Sequence, residues 1–189
     1  MQQTTLPPER YQPFASVARR NLMQELLEVP ALVRALGLPR GGRMLEVGCG
    51  QGFALGPLAR LCAPSRLVGL DVDGEALAEA RRHLDAQGVA ADLLEEDMRA
   101  MPLPDASFDV VIDFGTCYHI SRPEAALAEI ARVLAPGGWF VHETPVSQLL
   151  SHPVRSFGRR IPWKAAPTLA PHRSRLLWSA RRKISPLEG

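Results

Sequence analysis

Five short apolar runs, at residues 43–48, 66–71, 91–95, 108–114 and 139–143, alternate along the chain with stretches whose apolar positions recur at helical spacing. A continuous apolar run is what a strand buried on both faces presents. Strands separated by helices imply a parallel sheet, wound right-handedly, with helices on both faces. In residues 14–36 the positions Val17, Leu22, Leu26, Leu27, Leu32, Val33 and Leu36 follow a helical period. Pro30 is expected to break that stretch into two helices, and Gly37 and Pro39 to stop the second. A helix over about residues 53–62 follows the first strand, and Asp73 is placed to cap a strongly helical stretch that Gly88 ends. Two prolines in residues 101–107 leave little room for a crossover helix, which is expected to be short or missing. An amphipathic helix over 121–134 is closed by Pro136-Gly-Gly138. Residues 175–181 suit a last antiparallel strand, but 161–171, with three prolines, makes a poor partner for it, so the C-terminal region is expected to be shortened.

In an open sheet of this kind a ligand sits beyond the carboxyl ends of the strands. Those ends carry Gly48, Gly50 and Gly52, then Asp71, Asp97, Asp113 with Phe114, and Glu143, which would share one crevice. The glycines fall between the first strand and the helix after it, where backbone without a Cβ can turn sharply and free N–H groups point outward. Asp71 ends the second strand about 20 residues further on, the place from which a βαβ nucleoside site grips two ribose hydroxyls. The spacing is not G-x-G-x-x-G, since Phe53 or Leu55 stands where the third glycine would be, and no Gly-Lys-Ser/Thr follows. A dinucleotide and a nucleoside triphosphate are therefore disfavoured. With no pyrophosphate to neutralise, Glu46 is free to face a positively charged ligand.

The segment Glu46-x-Gly48-x-Gly50-x-Gly52 resembles motif I of the class I S-adenosylmethionine-dependent methyltransferases. The similarity extends over about residues 43–143 and looks most like the small-molecule enzymes of the ubiquinone and menaquinone type. It implies a doubly wound, mainly parallel α/β sheet of the Rossmann-like class I methyltransferase type, with S-adenosylmethionine as cofactor and S-adenosylhomocysteine as product. It further implies that Glu46, Gly48, Gly50 and Gly52 look onto the methionine part, that Asp71 holds the ribose with Val72 beside the adenine, and that Asp97 and Met98 touch the adenine amine and ring. Asp113 and Phe114 match the end of the fourth strand, and Val133-Leu-Ala-Pro-Gly-Gly138 the turn before the fifth. No Asn/Asp-Pro-Pro-Tyr follows the fourth strand, so methylation of base amino groups by that route is disfavoured.

Methyl transfer asks the protein chiefly to align the acceptor and often to take a proton. His119, at the rim of the crevice, is the first candidate for that base; capping the next helix or packing beside Ile120 is its structural alternative. Tyr118 and Thr116 are candidates for orienting the acceptor. Strand alternation puts His142 and Glu143 on opposite faces, and Glu143 is the better placed for substrate contact. Tyr11, Phe14 and the first helix are candidates for a lid.

The 189 residues, 46% of them hydrophobic, suit one domain: N-terminal helices over 1–40, a cofactor-binding core over 41–145 and a basic segment over 146–189 completing it. The start is polar and proline-rich, and no apolar run is long enough to span a bilayer, so a cytoplasmic location is expected. Three cysteines without a CxxC and five histidines without ligand spacing indicate neither a disulfide framework nor a metal site. The net charge of +2 conceals an acidic body and a tail in which nine Lys/Arg face one acid, interleaved with Phe157, Trp163 and Trp178. Three readings suit that tail: a solvated terminal hairpin, which ranks first, phosphate contacts with stacking on nucleic acid, and adhesion to anionic lipid. The expected activity is methyl transfer to a small-molecule acceptor. An RNA-directed methyltransferase and a non-catalytic cofactor-binding protein are its rivals, and no feature of the pattern sets an oligomeric state.

Overall fold

The computed structural model describes residues 16–151 and 160–185. Helix α1 (Val17–Met23) runs through a π-helical turn (Gln24–Glu28) into α2 (Val29–Leu36). The sequence then alternates: β1 (Arg43–Val47), α3 (Leu55–Cys62), β2 (Arg66–Asp71), α4 (Gly74–Ala86), β3 (Asp92–Glu95) and β4 (Phe108–Asp113). A 3-10 turn (Thr116–Tyr118), α5 (Pro123–Val133), β5 (Leu134–Glu143) and α6 (Pro145–Ser151) follow, then a second 3-10 turn (Trp163–Ala165), β6 (Leu169–Ser174) and β7 (Trp178–Lys183). The strands form one seven-stranded sheet in the order β3-β2-β1-β4-β5-β7-β6, in which β7 runs antiparallel to both its neighbours, β5 and β6, and every other pair is parallel.

The strand order reverses at β1, whose neighbours are β2 and β4, and there the two chain directions part to leave a crevice. Alternation along the strands sorts the core. Leu45, Val68, Leu70 and Val111 bury on the face covered by α5, while Met44, Leu67, Val110 and Ile112 bury against α2, α3 and α4. No helix stands between β3 and β4, as the two prolines require. Met98, Met101 and Leu103 fill that place instead, and Arg132 of α5 holds the loop, donating to the carbonyls of Leu103 (2.6 Å) and Met101 (2.9 Å).

Three expectations need correction. Pro30 does not break the N-terminal helix: the Val29 N–H reaches back five residues to Gln24 O, and this wider turn absorbs a residue that lacks an N–H and crowds the preceding carbonyls. Pro136-Gly-Gly138 does not precede the fifth strand but lies within it, where the register to β4 shifts. The last strand, β7, does have a partner, but that partner starts only at the end of 161–171: β6 (Leu169–Ser174) pairs with β7 along its length, and Pro171 is tolerated because β6 is the sheet edge and the register shifts beside it. The C-terminal region is short, yet it completes the sheet.

Candidate functional site

Beyond the carboxyl ends of β1 to β4 lies a cavity lined by nine of the residues singled out from the sequence: Glu46, Gly48, Gly50, Asp71, Val72, Asp97, Met98, Phe114 and His119. Gly52 and Asp113 do not line it. A Cβ on Gly52 would lie 2.9 Å from the Cβ of Ala80, so this glycine admits α4 close to the loop. Asp113 is buried beneath the cavity, where its carboxylate accepts the N–H groups of Thr116 (2.6 Å) and Cys117 (3.2 Å) and shapes the turn whose residues reach the cavity.

Asp71 is pinned by the glycine loop. Its Oδ2 accepts the Gly50 N–H at 2.7 Å and its Oδ1 the Asp73 N–H at 3.0 Å, leaving each oxygen one further acceptor direction. Burial raises its pKa, and the N–H groups of Gly50, Asp73 and Val72 pull part of the shift back. The neighbouring helix cap falls to Asp73, whose carboxylate accepts the N–H of Glu75 and of Ala76. Capping by Asp73 thus leaves Asp71 at the cavity wall.

Glu46 is 2% exposed and its Oε2 has no hydrogen-bond partner among the described residues. Burial lifts its pKa well above the carboxylate range; Arg20 opposes this, while Asp71, Asp113 and Glu28 add to it. A buried carboxyl in the cavity wall, unsatisfied and among other acids, is an arrangement that a cationic ligand completes. Asp97 sits in the opposite electrostatic situation. Burial raises its pKa, but hydrogen bonds from Arg99 outweigh that and hold it below the ordinary value, so this carboxylate is ionised.

Helix α1, read from the sequence as part of a candidate lid, walls the cavity with a face the apolar pattern did not single out. Val17, Arg20, Asn21 and Gln24, spaced as one helical face, line the cavity, and Asn21 donates to Gln51 of the glycine loop. The residues read as this helix's apolar stripe point the other way: Leu22, Leu26 and Leu27 are more than half exposed, with Met23 beside them. The inward face is polar because it meets a cavity instead of a core. Tyr11 and Phe14, the other members of the suggested lid, lie outside the described residues, as do Arg155, Phe157 and Arg159 of the basic segment.

Thr116 lines the cavity with Gly115 and Ile120, whereas Tyr118 is buried and its hydroxyl donates to the Glu143 carbonyl at 3.3 Å. Glu143 does not line the cavity. It is buried behind Gly115, accepts a bond from Gln148, and is raised to about pH 8 by burial, with Glu28 adding and Arg20 opposing. His142 lies on the opposite face against Phe140 and Trp163, and burial lowers its pKa to about 4.

Three described cations of the basic segment pack on rings or carbonyls, while Arg160, Lys164, Arg175 and Arg182 are exposed. Arg181 lies 3.9 Å over the Trp163 ring and donates to Leu169 O, Arg173 lies 4.9 Å over Trp139 and donates to Leu36 O, and Lys183 donates to Leu134 O. Trp178 is core. These cations and rings are packing partners for each other, which removes them from the set expected to contact phosphates and stack bases.

The family described as Methyltransferase domain matches residues 45–142. The chain is 36% identical over 102 residues to a fatty-acid O-methyltransferase of Mycolicibacterium smegmatis, covering 54% of this chain and 36% of that protein. It is 40% identical over 100 residues to a demethylmenaquinone methyltransferase of Thermus thermophilus, covering 52% of this chain and 45% of the other. It therefore spans less than half the length of these relatives. Its fold matches the crystal structure of an S-adenosylmethionine-dependent methyltransferase from Aquifex aeolicus with a TM-score of 0.76 at 18% identity, over 93% of this chain and 100% of that one.

Proposed function

The chain belongs to the methyltransferase-domain family, and from that membership we propose that it binds S-adenosylmethionine in the β1–β4 cavity and methylates a small lipophilic acceptor. The observation that carries this reading is Glu46: a carboxyl 2% exposed, lacking a partner on Oε2, in the wall beside Gly48 and Gly50. A ligand with a positively charged methionine part supplies what that carboxyl lacks. At the other end Asp71, held by two backbone N–H groups, presents both oxygens toward two ribose hydroxyls. Val72 and Met98 would hold the base, and Asp97 would accept a hydrogen bond from its exocyclic amine.

When bound, the cofactor supplies a methyl group on a sulfonium with a good leaving group already attached. What remains for the chain is alignment, exclusion of water and acceptance of a proton. Helix α1 walls the cavity through Val17, Asn21 and Gln24, and the loop after β4 brings Thr116, His119 and Ile120 to the same space. His119 is the group placed to take a proton from an acceptor hydroxyl or amine. An apolar acceptor is supported by relatives named for a fatty acid and for demethylmenaquinone.

Calorimetric titration of S-adenosylhomocysteine into the protein and into Asp71→Asn, with NADH as control, tests the cofactor. Binding to the wild type, at least about tenfold weaker binding to the variant, and none of NADH is the expected result. A folded protein that ignores S-adenosylhomocysteine would overturn the reading. Transfer of a labelled methyl group to fatty acids and quinols, but not to water-soluble amines, tests the acceptor class.

A further inference from the structure

Nothing in the sequence pattern singles out Arg99, yet its side chain is only 8% exposed and it stands where two parts of the cavity meet. Its guanidinium lies along the Asp97 carboxylate, with Nε 2.9 Å from Oδ1 and 3.0 Å from Oδ2, and Nη2 2.6 Å from Oδ2. Its backbone N–H donates to Oδ1 at 2.8 Å. The remaining arm, Nη1, donates to Ser121 Oγ at 2.7 Å. Ser121 directly follows His119 and Ile120, so one side chain ties the loop after β3 to the cavity-lining loop after β4.

A fork-to-carboxylate pair is directional as well as strong, and it fixes the plane of the acid. A carboxylate offers about four acceptor directions, and Asp97 Oδ1 already receives two donors. Oδ2 takes Nη2 and shares Nε with Oδ1, so three N–H donors of Arg99 fill three of the four directions and one is left; Asp97 is one-third exposed, toward the cavity it lines. Held this way Asp97 can neither rotate nor donate; it can only accept.

We propose that Arg99 is a positioning residue that sets the cavity's selectivity for a base carrying an exocyclic amine, by keeping Asp97 an oriented, acceptor-only group and anchoring it to Ser121. The inference rests on the nucleoside-cofactor reading of this cavity. An amine at the edge of the base donates to Asp97, whereas a carbonyl in that place sets two acceptors against each other. Without Arg99 the acid is free to turn away or to carry a proton, and the distinction fades. Lysine does not replace it, since an ammonium cannot lie along both oxygens and reach Ser121 as well.

The test is paired calorimetric titration of S-adenosylhomocysteine and its inosine counterpart, in which a carbonyl replaces the amine and the adjacent ring nitrogen N1 carries a proton. The wild type is expected to prefer the adenosyl form by at least about tenfold, and Arg99→Met and Arg99→Lys to lower that preference to about threefold or less, with far-ultraviolet dichroism confirming their fold. A purely structural role would weaken both ligands together and leave the ratio unchanged, and that result in either folded variant overturns the inference. Should both variants fail to fold, Ser121→Ala decides: a preference reduced at least about twofold supports the tether, and an unchanged one overturns it. A wild type that binds both ligands equally sinks this inference alone; one that binds neither sinks the cofactor reading and this inference with it.

Discussion

Gly48, just past β1, stands so close to Thr116 that a Cβ built on it would overlap the threonine Oγ1 and lie 2.9 Å from both its Cβ and its Cγ2. Its φ of +69° is left-handed as well. Both residues line the cavity, so this contact sets how near the loop after β4 approaches the loop after β1. Gly50 shares the left-handed backbone, with φ of +51°, but a Cβ there would meet nothing within 4 Å. Gly48→Ala is therefore expected to cost about 2–4 kcal/mol of stability, backbone strain plus overpacking, and Gly50→Ala only about 1 kcal/mol. Urea unfolding without ligand checks this, and equal losses would show that the approach of Thr116 is not what requires glycine.

How much of this site can be read from residues alone depends on what spacing encodes. The glycine loop, Asp71 and the Asp73 cap are legible because turn chemistry and strand-end position constrain them locally. Glu46 and Asp113 are both acids at strand ends, but one lines the cavity and the other lies beneath it pinning a turn. Such a difference hangs on which side of the sheet each side chain leaves, and a shift of one residue reverses it. Helix α1 shows the complementary limit: the period of Leu22 and Leu26 reveals a face, not the direction it points. Pro171 reads as a strand breaker until the sheet order makes its strand an edge. Arg99 was invisible because its partners, Asp97 apart, are distant in sequence.

Arg132 takes over work that a crossover helix does in a more regular sheet. Besides the two carbonyls of the loop, it binds Glu129 and Asp105, and Glu129 Oε2 in turn accepts the Met101 N–H at 2.7 Å. Arg132→Met leaves these carbonyls and carboxylates without their donor. A loss of about 2–4 kcal/mol is expected. Hydrogen exchange should quicken selectively at Met101; uniform quickening across the sheet would contradict a local brace.

Two buried groups at the end of β5 give stability opposite pH dependences. His142, at about 4 in the folded chain against an ordinary 6.5, contributes stability that is fully present above pH 6.5 and is lost as pH falls toward 4. Glu143, raised to about 8 from 4.5, contributes stability that is present below pH 4.5 and is lost as pH rises toward 8. The two trends oppose each other between 4.5 and 6.5; above that only Glu143, facing Glu28, Arg20 and Gln148, still titrates of this pair. Stability should therefore decline from pH 6.5 to 8 by up to about 2 kcal/mol, and Glu143→Gln should flatten the decline. Urea midpoints for both proteins across that range decide it: an unchanged slope in the variant would assign the decline to another group.

Glu46 connects the same electrostatics to binding. In the ligand-free chain burial raises the pKa of its carboxyl well above the ordinary carboxylate value; Arg20 opposes this, and Asp71, Asp113 and Glu28 add to it. A ligand bringing a positive charge to the unpartnered Oε2 favours the ionised form, and the proton must leave. Binding of S-adenosylmethionine should thus be accompanied by proton release, seen as a calorimetric enthalpy that differs between phosphate and Tris buffers. Glu46→Gln should bind more weakly and with an enthalpy independent of buffer. A wild type without buffer dependence would mean that Glu46 does not change protonation on binding, and the completion of its charge by the ligand would have to be abandoned.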